Sequence, residues 1–112
     1  MPDAAPLLPE DAKLVTLARA ARSRSGAAEG AAVRHPDGRT YAACTVTLRS
    51  LPLSALQAAV AAAASSGALR LEAAAVVGGA ARLAESDWAV LDEMSVTTVL
   101  LADADGVLHS AT

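Results

Sequence analysis

Few side chains in this 112-residue sequence are suited to chemistry, and they are scattered. Cys44 is the single cysteine, and His35 and His109 are the two histidines. No C-x-x-C or H-x-E pair joins them, so the spacing that holds a zinc ion is absent. Ser54 stands in Leu51-Pro52-Leu53-Ser54 without a surrounding G-x-S-x-G. It reads as a helix N-cap or first-turn serine, not a nucleophile. Asp103, Asp105 and Gly106 open like a calcium loop, but the remaining ligands and the distal glutamate are missing, which leaves a hairpin turn. Gly78-Gly79 is followed by no phosphate-loop motif. His35 precedes Pro36 at a turn, His109 reads as a solvent-side strand residue, and Cys44 as a small buried hydrophobe. Arg19, Arg22 and Arg24 read as a solvated helix face, as do Glu85, Asp87, Asp92 and Glu93.

The bulk properties set what these residues can sit on. A chain of this length fits one domain, here a lead over residues 1–8 and a single domain over 9–112. With no Phe, one Tyr and one Trp, its core must be aliphatic and its layers close-packed. Charged residues make up 19% of the chain, which predicts a globular rather than disordered chain. The net charge of −3 and pI near 5.2 give no basic footprint for nucleic acid. No apolar run approaches the roughly 20 residues of a membrane span. The start, MPDAAPLLPEDAK, lacks the pattern of a secretory signal. One cysteine excludes an internal disulfide and suits a reducing cytoplasm.

The elements follow from periodicity and punctuation. Pro9-Glu10-Asp11 opens a helix whose apolar face is Leu14, Leu17, Ala18 and Ala21 and which ends between Ser23 and Gly26. Residues 31–34 and 39–47 form a hairpin around His35-Pro36-Asp37-Gly38, the clearest local signal in the chain. A helix covers Leu51 to Gly67, with Leu53, Leu56 and Val60 on its apolar side and Gly67 as its stop. A buried strand spans 71–77. Glu85 to Met94 is a helix with Trp88 and Leu91 on one face. Residues 96–101 are a β-branched strand, and 107–110 a last edge strand. The order α-β-β-α-β-α-β-β argues an α/β layered sheet.

On that order, the segment from Gly26 to Gly67, with Asp37-Gly38, Tyr41 and Ser65-x-Gly67, resembles the first half of small homo-oligomeric cytidine deaminases. The likeness extends over roughly residues 12–110. It implies a three-layer fold around a central mixed sheet of about five strands. It also implies a zinc ion on one His or Cys and two further Cys, with a glutamate as proton shuttle. Counted along this chain, the first ligand falls on Ser54 and the shuttle on Leu56. The second ligand pair falls near Leu83 to Asp87, on Ala84 and Asp87. The residues that bind the nucleoside sugar fall on Thr45 and Thr47. Every one of these positions is altered. A neutral hydroxyl is a poor zinc ligand, and leucine cannot carry a proton.

The expectation is therefore a cytidine deaminase-like domain without catalysis, metal or other cofactor. It would serve as a homo-oligomeric (dimeric or tetrameric) structural or interaction module in the cytoplasm, open to a protein partner but not to nucleic acid or membrane. An alternative keeps the pocket as a nucleoside or nucleotide binder through Thr45, Thr47 and Ser54. A further one is zinc-dependent conversion of cytidine to uridine.

Overall fold

The computed structural model describes residues 7–112. The expected lead over residues 1–8 lies outside them except for Leu7 and Leu8. Helix α1 spans Pro9–Ser25, with proline at its start, Glu10 and Asp11 in the first turn, and Gly26 closing it in a left-handed conformation. Strands β1 (Glu29–Arg34) and β2 (Thr40–Cys44) form the hairpin about the Pro-Asp-Gly turn. The His35 amide donates to the Arg39 carbonyl at 2.8 Å there, and the Gly38 amide to the His35 carbonyl at 2.8 Å.

The chain departs from the expected order after Cys44. The single strand expected through Thr47 breaks at Thr45. A second, small hairpin follows: β3 (Val46–Leu48) and β4 (Leu51–Leu53), a separate two-stranded sheet. Leu53 thus belongs to a strand, and helix α2 runs only from Ala55 to Ser65. Strand β5 (Ala73–Gly78), helix α3 (Glu85–Glu93), and strands β6 (Thr98–Ala102) and β7 (Leu108–Ala111) complete the fold. At the last turn the Asp103 carboxylate accepts the Asp105 and Val107 amides. That is the turn chemistry expected there.

The main sheet is mixed, in the order β2-β1-β5-β6-β7, with β5 and β6 parallel and the other pairs antiparallel. Alternate side chains divide the core into two layers. Ala32, Ala73, Ala75, Val77, Leu100 and Ala102 pack with Leu14, Val15 and Ala18 of α1. Ala31, Val33, Ala74, Val76, Val99 and Leu101 pack with Leu56, Ala59, Val60 and Leu91 of α2 and α3. The result is a three-layer α/β/α fold around five strands. Alanine on both faces lets the helices lie close to the sheet. At Gly30 even a methyl group has no room, since a Cβ there would stand 2.0 Å from the Ala18 carbonyl oxygen.

Among the described residues, no helix is long and apolar enough to cross a membrane. Cys44 is half-buried rather than enclosed, because β2 is an edge strand. His109 is exposed on β7, as expected.

Candidate functional site

The N-terminal ends of α2 and α3, the start of β1 and the β3–β4 hairpin surround an open cleft of about 650 Å³. Val46, Leu48, Pro52 and Leu53 give it apolar walls, and Glu29, Thr45, Ser54, Gln57 and Ser86 supply polar groups. Leu56, Ala84 and Asp87 do not line it.

Ser54 caps α2. Its oxygen accepts the Gln57 amide at 3.0 Å, and the Gln57 side-chain oxygen accepts the Ser54 amide at 2.9 Å. This capping box satisfies two of the amides a helix start leaves without partners. The Ser54 hydroxyl donates to Asp87 Oδ1 at 2.6 Å. Asp87 sits in the first turn of α3, where an anion is favoured. It is only 4% exposed, so the solvated acidic face expected for Glu85, Asp87, Asp92 and Glu93 holds for the other three alone. Trp88, expected to share the packed face of Leu91, is 44% exposed. Position 87 rather than 88 turns inward because its carboxylate finds a hydroxyl to accept from.

The residues assigned to sugar binding fare differently. The Thr45 hydroxyl accepts the Glu29 amide at 3.0 Å and donates to the Glu29 carbonyl at 3.3 Å. It is occupied in pinning the end of β2 to the start of β1. Thr47 is exposed on β3 and faces the cleft. Leu56 is fully buried in the core between α2 and the sheet.

Glu29 was not foreseen. Its stem lies over Gly78, its register partner on β5, and a Cβ at that glycine would come within 2.8 Å of the Glu29 side chain. Partial burial raises its carboxyl above the ordinary carboxylate value, and the nearby Asp87 charge adds to the shift. The signal in the sequence was a lone acid opening an otherwise small and apolar strand.

These groups do not fit the zinc ion that the resemblance implies. Ser54 offers a protonated oxygen already committed to Asp87 and Gln57, and alanine at 84 offers no donor. Among the described residues no group of three His, Cys, Asp or Glu side chains converges as metal ligands. No hydrolytic step can be derived through such a metal from these residues.

A mixed five-stranded sheet with one helix on one face and two on the other defines a three-layer domain. Its cleft opens where the latter two helices begin. A family model described as cytidine deaminase-like matches residues 7–106, and the chain belongs to that family. Solved structures similar to it include cytidine deaminase from Burkholderia pseudomallei, with TM-score 0.76, 24% identity and 89% of each chain covered. A point mutant of cytidine deaminase from Mycobacterium tuberculosis has TM-score 0.66 and 30% identity over 78% of this chain and 81% of that one. Cytidine deaminase from Mycobacterium leprae has TM-score 0.63 and 23% identity over 85% and 89%. No curated protein sequence matches.

Proposed function

We propose that this chain is a cytidine deaminase-like protein without deaminase activity, acting as an oligomeric structural or interaction module in the cytoplasm. The observation that carries the reading is the state of the two positions where the chemistry would reside. The Ser54 hydroxyl is bonded to buried Asp87, and Leu56 is sealed in the core. Neither can hold a metal-bound water or move a proton to a base. Surface suited to association lies on α2 and on the elements that form the cleft. Ala61, Ala62 and Ala64 present short side chains on the outer side of α2, which permits close helix approach. Leu48, Leu51 and Trp88 are large apolar groups exposed nearby on β3, β4 and α3. Three measurements on the purified protein test the reading: zinc content, a direct cytidine-to-uridine assay, and light scattering. Absence of turnover, substoichiometric zinc and a mass of at least two chains are expected. Stoichiometric zinc with turnover would overturn it.

A second reading has the cleft itself in its favour. Its volume of about 650 Å³ and its lining by Thr47, Ser54 and apolar walls suit a small molecule such as a nucleoside. A thermal-shift panel of nucleosides and nucleotides decides between the two. Stabilisation by one member supports a binder, and a flat panel supports the interaction module.

A further inference from the structure

We propose that the Ser54–Asp87 hydrogen bond replaces a metal ion structurally: it is a protein-only latch that ties the start of α2 to the start of α3 and makes the fold independent of zinc. This rests on the non-catalytic reading above, because it takes the metal positions as lost rather than displaced.

The geometry is that of a strong, directed contact. An O–H···O⁻ separation of 2.6 Å lies in the range of charge-assisted hydrogen bonds. The donor is held in place from the other side. Ser54 oxygen accepts the Gln57 amide while its own amide donates to the Gln57 side chain. The capping box therefore sets the serine rotamer and leaves its one proton for Asp87. The acceptor is also prepared: Asp87 stands in the first turn of α3, beside the exposed amides of the helix start. Its burial would be costly without this partner.

The latch matters at the start of α3, because the other attachments lie toward its end, where Val90, Leu91 and the capping Met94 pack into the core and the Leu71 amide donates to the Met94 carbonyl. The helix has nine residues and no side-chain N-cap, and its buried residues are Asp87 and Leu91 alone. Helices this short are marginal without tertiary support. Leu91 anchors the last turn of α3 to the core, and Asp87 anchors its first turn. In the resemblance a zinc ion would bridge these same two helix starts. Here one hydroxyl and one carboxylate span the gap, and Leu56 fills the core behind them.

The test is thermal unfolding of the full chain and of Ser54→Ala, Asp87→Ala and the double variant, each with EDTA and with added zinc chloride. Hydrogen exchange is read on the α3 amides. The wild type is expected to melt at the same temperature in EDTA and in zinc. Each single variant should lose about 5 °C or more. The double variant should lose at least about 4 °C less than the sum of the singles, which isolates the pair from the cap lost with Ser54. Asp87→Asn, which retains an acceptor oxygen without the charge, should fall between wild type and Asp87→Ala and covers the case in which alanine prevents folding. The α3 amides should exchange faster in Ser54→Ala than in wild type, while those of β5 stay protected. Additive losses, or unchanged α3 exchange in Ser54→Ala, would overturn the latch and leave the non-catalytic reading standing. A wild-type melting temperature lowered by EDTA, with cytidine turnover, would overturn that reading as well.

Discussion

Gly30 on β1 lies directly against the backbone of α1 at Ala18: a methyl group added at Gly30 would stand 2.0 Å from the Ala18 carbonyl oxygen and 2.7 Å from the Arg22 amide nitrogen. Both obstacles are helix backbone, which cannot rotate aside. Gly30→Ala must therefore lift α1 from the sheet and loosen the packing of Leu14 and Ala18 on Ala32 and Val77. Overpacking of this kind costs about 3 kcal/mol, which corresponds to a melting temperature lower by about 15 °C. Gly79 is the control. A Cβ there meets nothing within 4 Å and its backbone is not left-handed, so Gly79→Ala should melt within about 2 °C of wild type. Calorimetry on the two variants checks the contrast, and equal losses would contradict it.

Glu29 makes the stability of the fold depend on pH. Its carboxyl titrates above the ordinary value of 4.5, first through partial burial and then through the Asp87 charge. Folding therefore favours the protonated acid. That contribution is complete below pH 4.5 and is lost as the pH rises through the raised value. Glu29→Gln keeps the shape and removes the charge. It should melt above wild type at pH 7, with the difference closing as the pH falls below the ordinary carboxylate value. A melting series from pH 3 to pH 8 on both proteins measures it. A variant that gains nothing at neutral pH would remove Glu29 as the source.

At the opposite end of β1, Arg34 ties the strand to the start of α1 and to Glu72, the residue before β5. Its guanidinium donates to Asp11 Oδ1 at 2.9 Å, to the Glu10 carbonyl at 3.0 Å, and to the Glu72 carboxylate. Arg34 and Asp11 side chains are each 11% exposed, so the loss of one leaves the other poorly solvated. Arg34→Met keeps the apolar stem and should cost about 2 kcal/mol, less than a fully buried pair because Glu72 remains wet. Arg34→Lys should recover only part of it, since an ammonium lacks the planar fork that spans two carboxylates. Urea titration of the three proteins gives the order wild type, Arg34→Lys, Arg34→Met.

The order of the large elements was legible because each is written twice, in periodicity and in its stops. Pro9 and Gly26 bracket α1, and Pro36-Asp37-Gly38 turns β1 into β2. The β3–β4 hairpin was not legible. Three-residue strands carry no measurable alternation, and Pro52 within Leu51–Leu53 argues against a strand. It is tolerated because β4 pairs on one side only. The Ser54 cap could be read from the residue type and its place before an apolar run. The burial of Asp87 could not, because a charged residue among Glu85, Asp92 and Glu93 reads as solvated until its partner, 33 positions away, is known. What positions 56 and 84 lack was legible for the opposite reason: a leucine side chain cannot transfer a proton and an alanine side chain cannot bind a metal in any fold.

Leu56 gives the sharpest test of the proposed absence of deaminase chemistry at a single residue. The resemblance places a proton-shuttling glutamate there, yet the leucine is fully buried against Ala59, Val60 and the sheet. Leu56→Glu would put a carboxylate into a fully buried cluster of apolar side chains. Burial without a partner costs several kcal/mol or forces the acid to remain protonated. The variant should therefore melt at least about 10 °C below wild type at pH 7 and recover part of that loss near pH 4, as the acid protonates. Leu56→Met, similar in volume, should stay within about 1.5 kcal/mol of wild type. On the proposed reading neither variant should convert cytidine to uridine, because a serine hydroxyl bonded to Asp87 and an alanine offer a zinc ion no ligand set. Deamination by Leu56→Glu would show that the remaining groups suffice and that leucine at this one position silences the site.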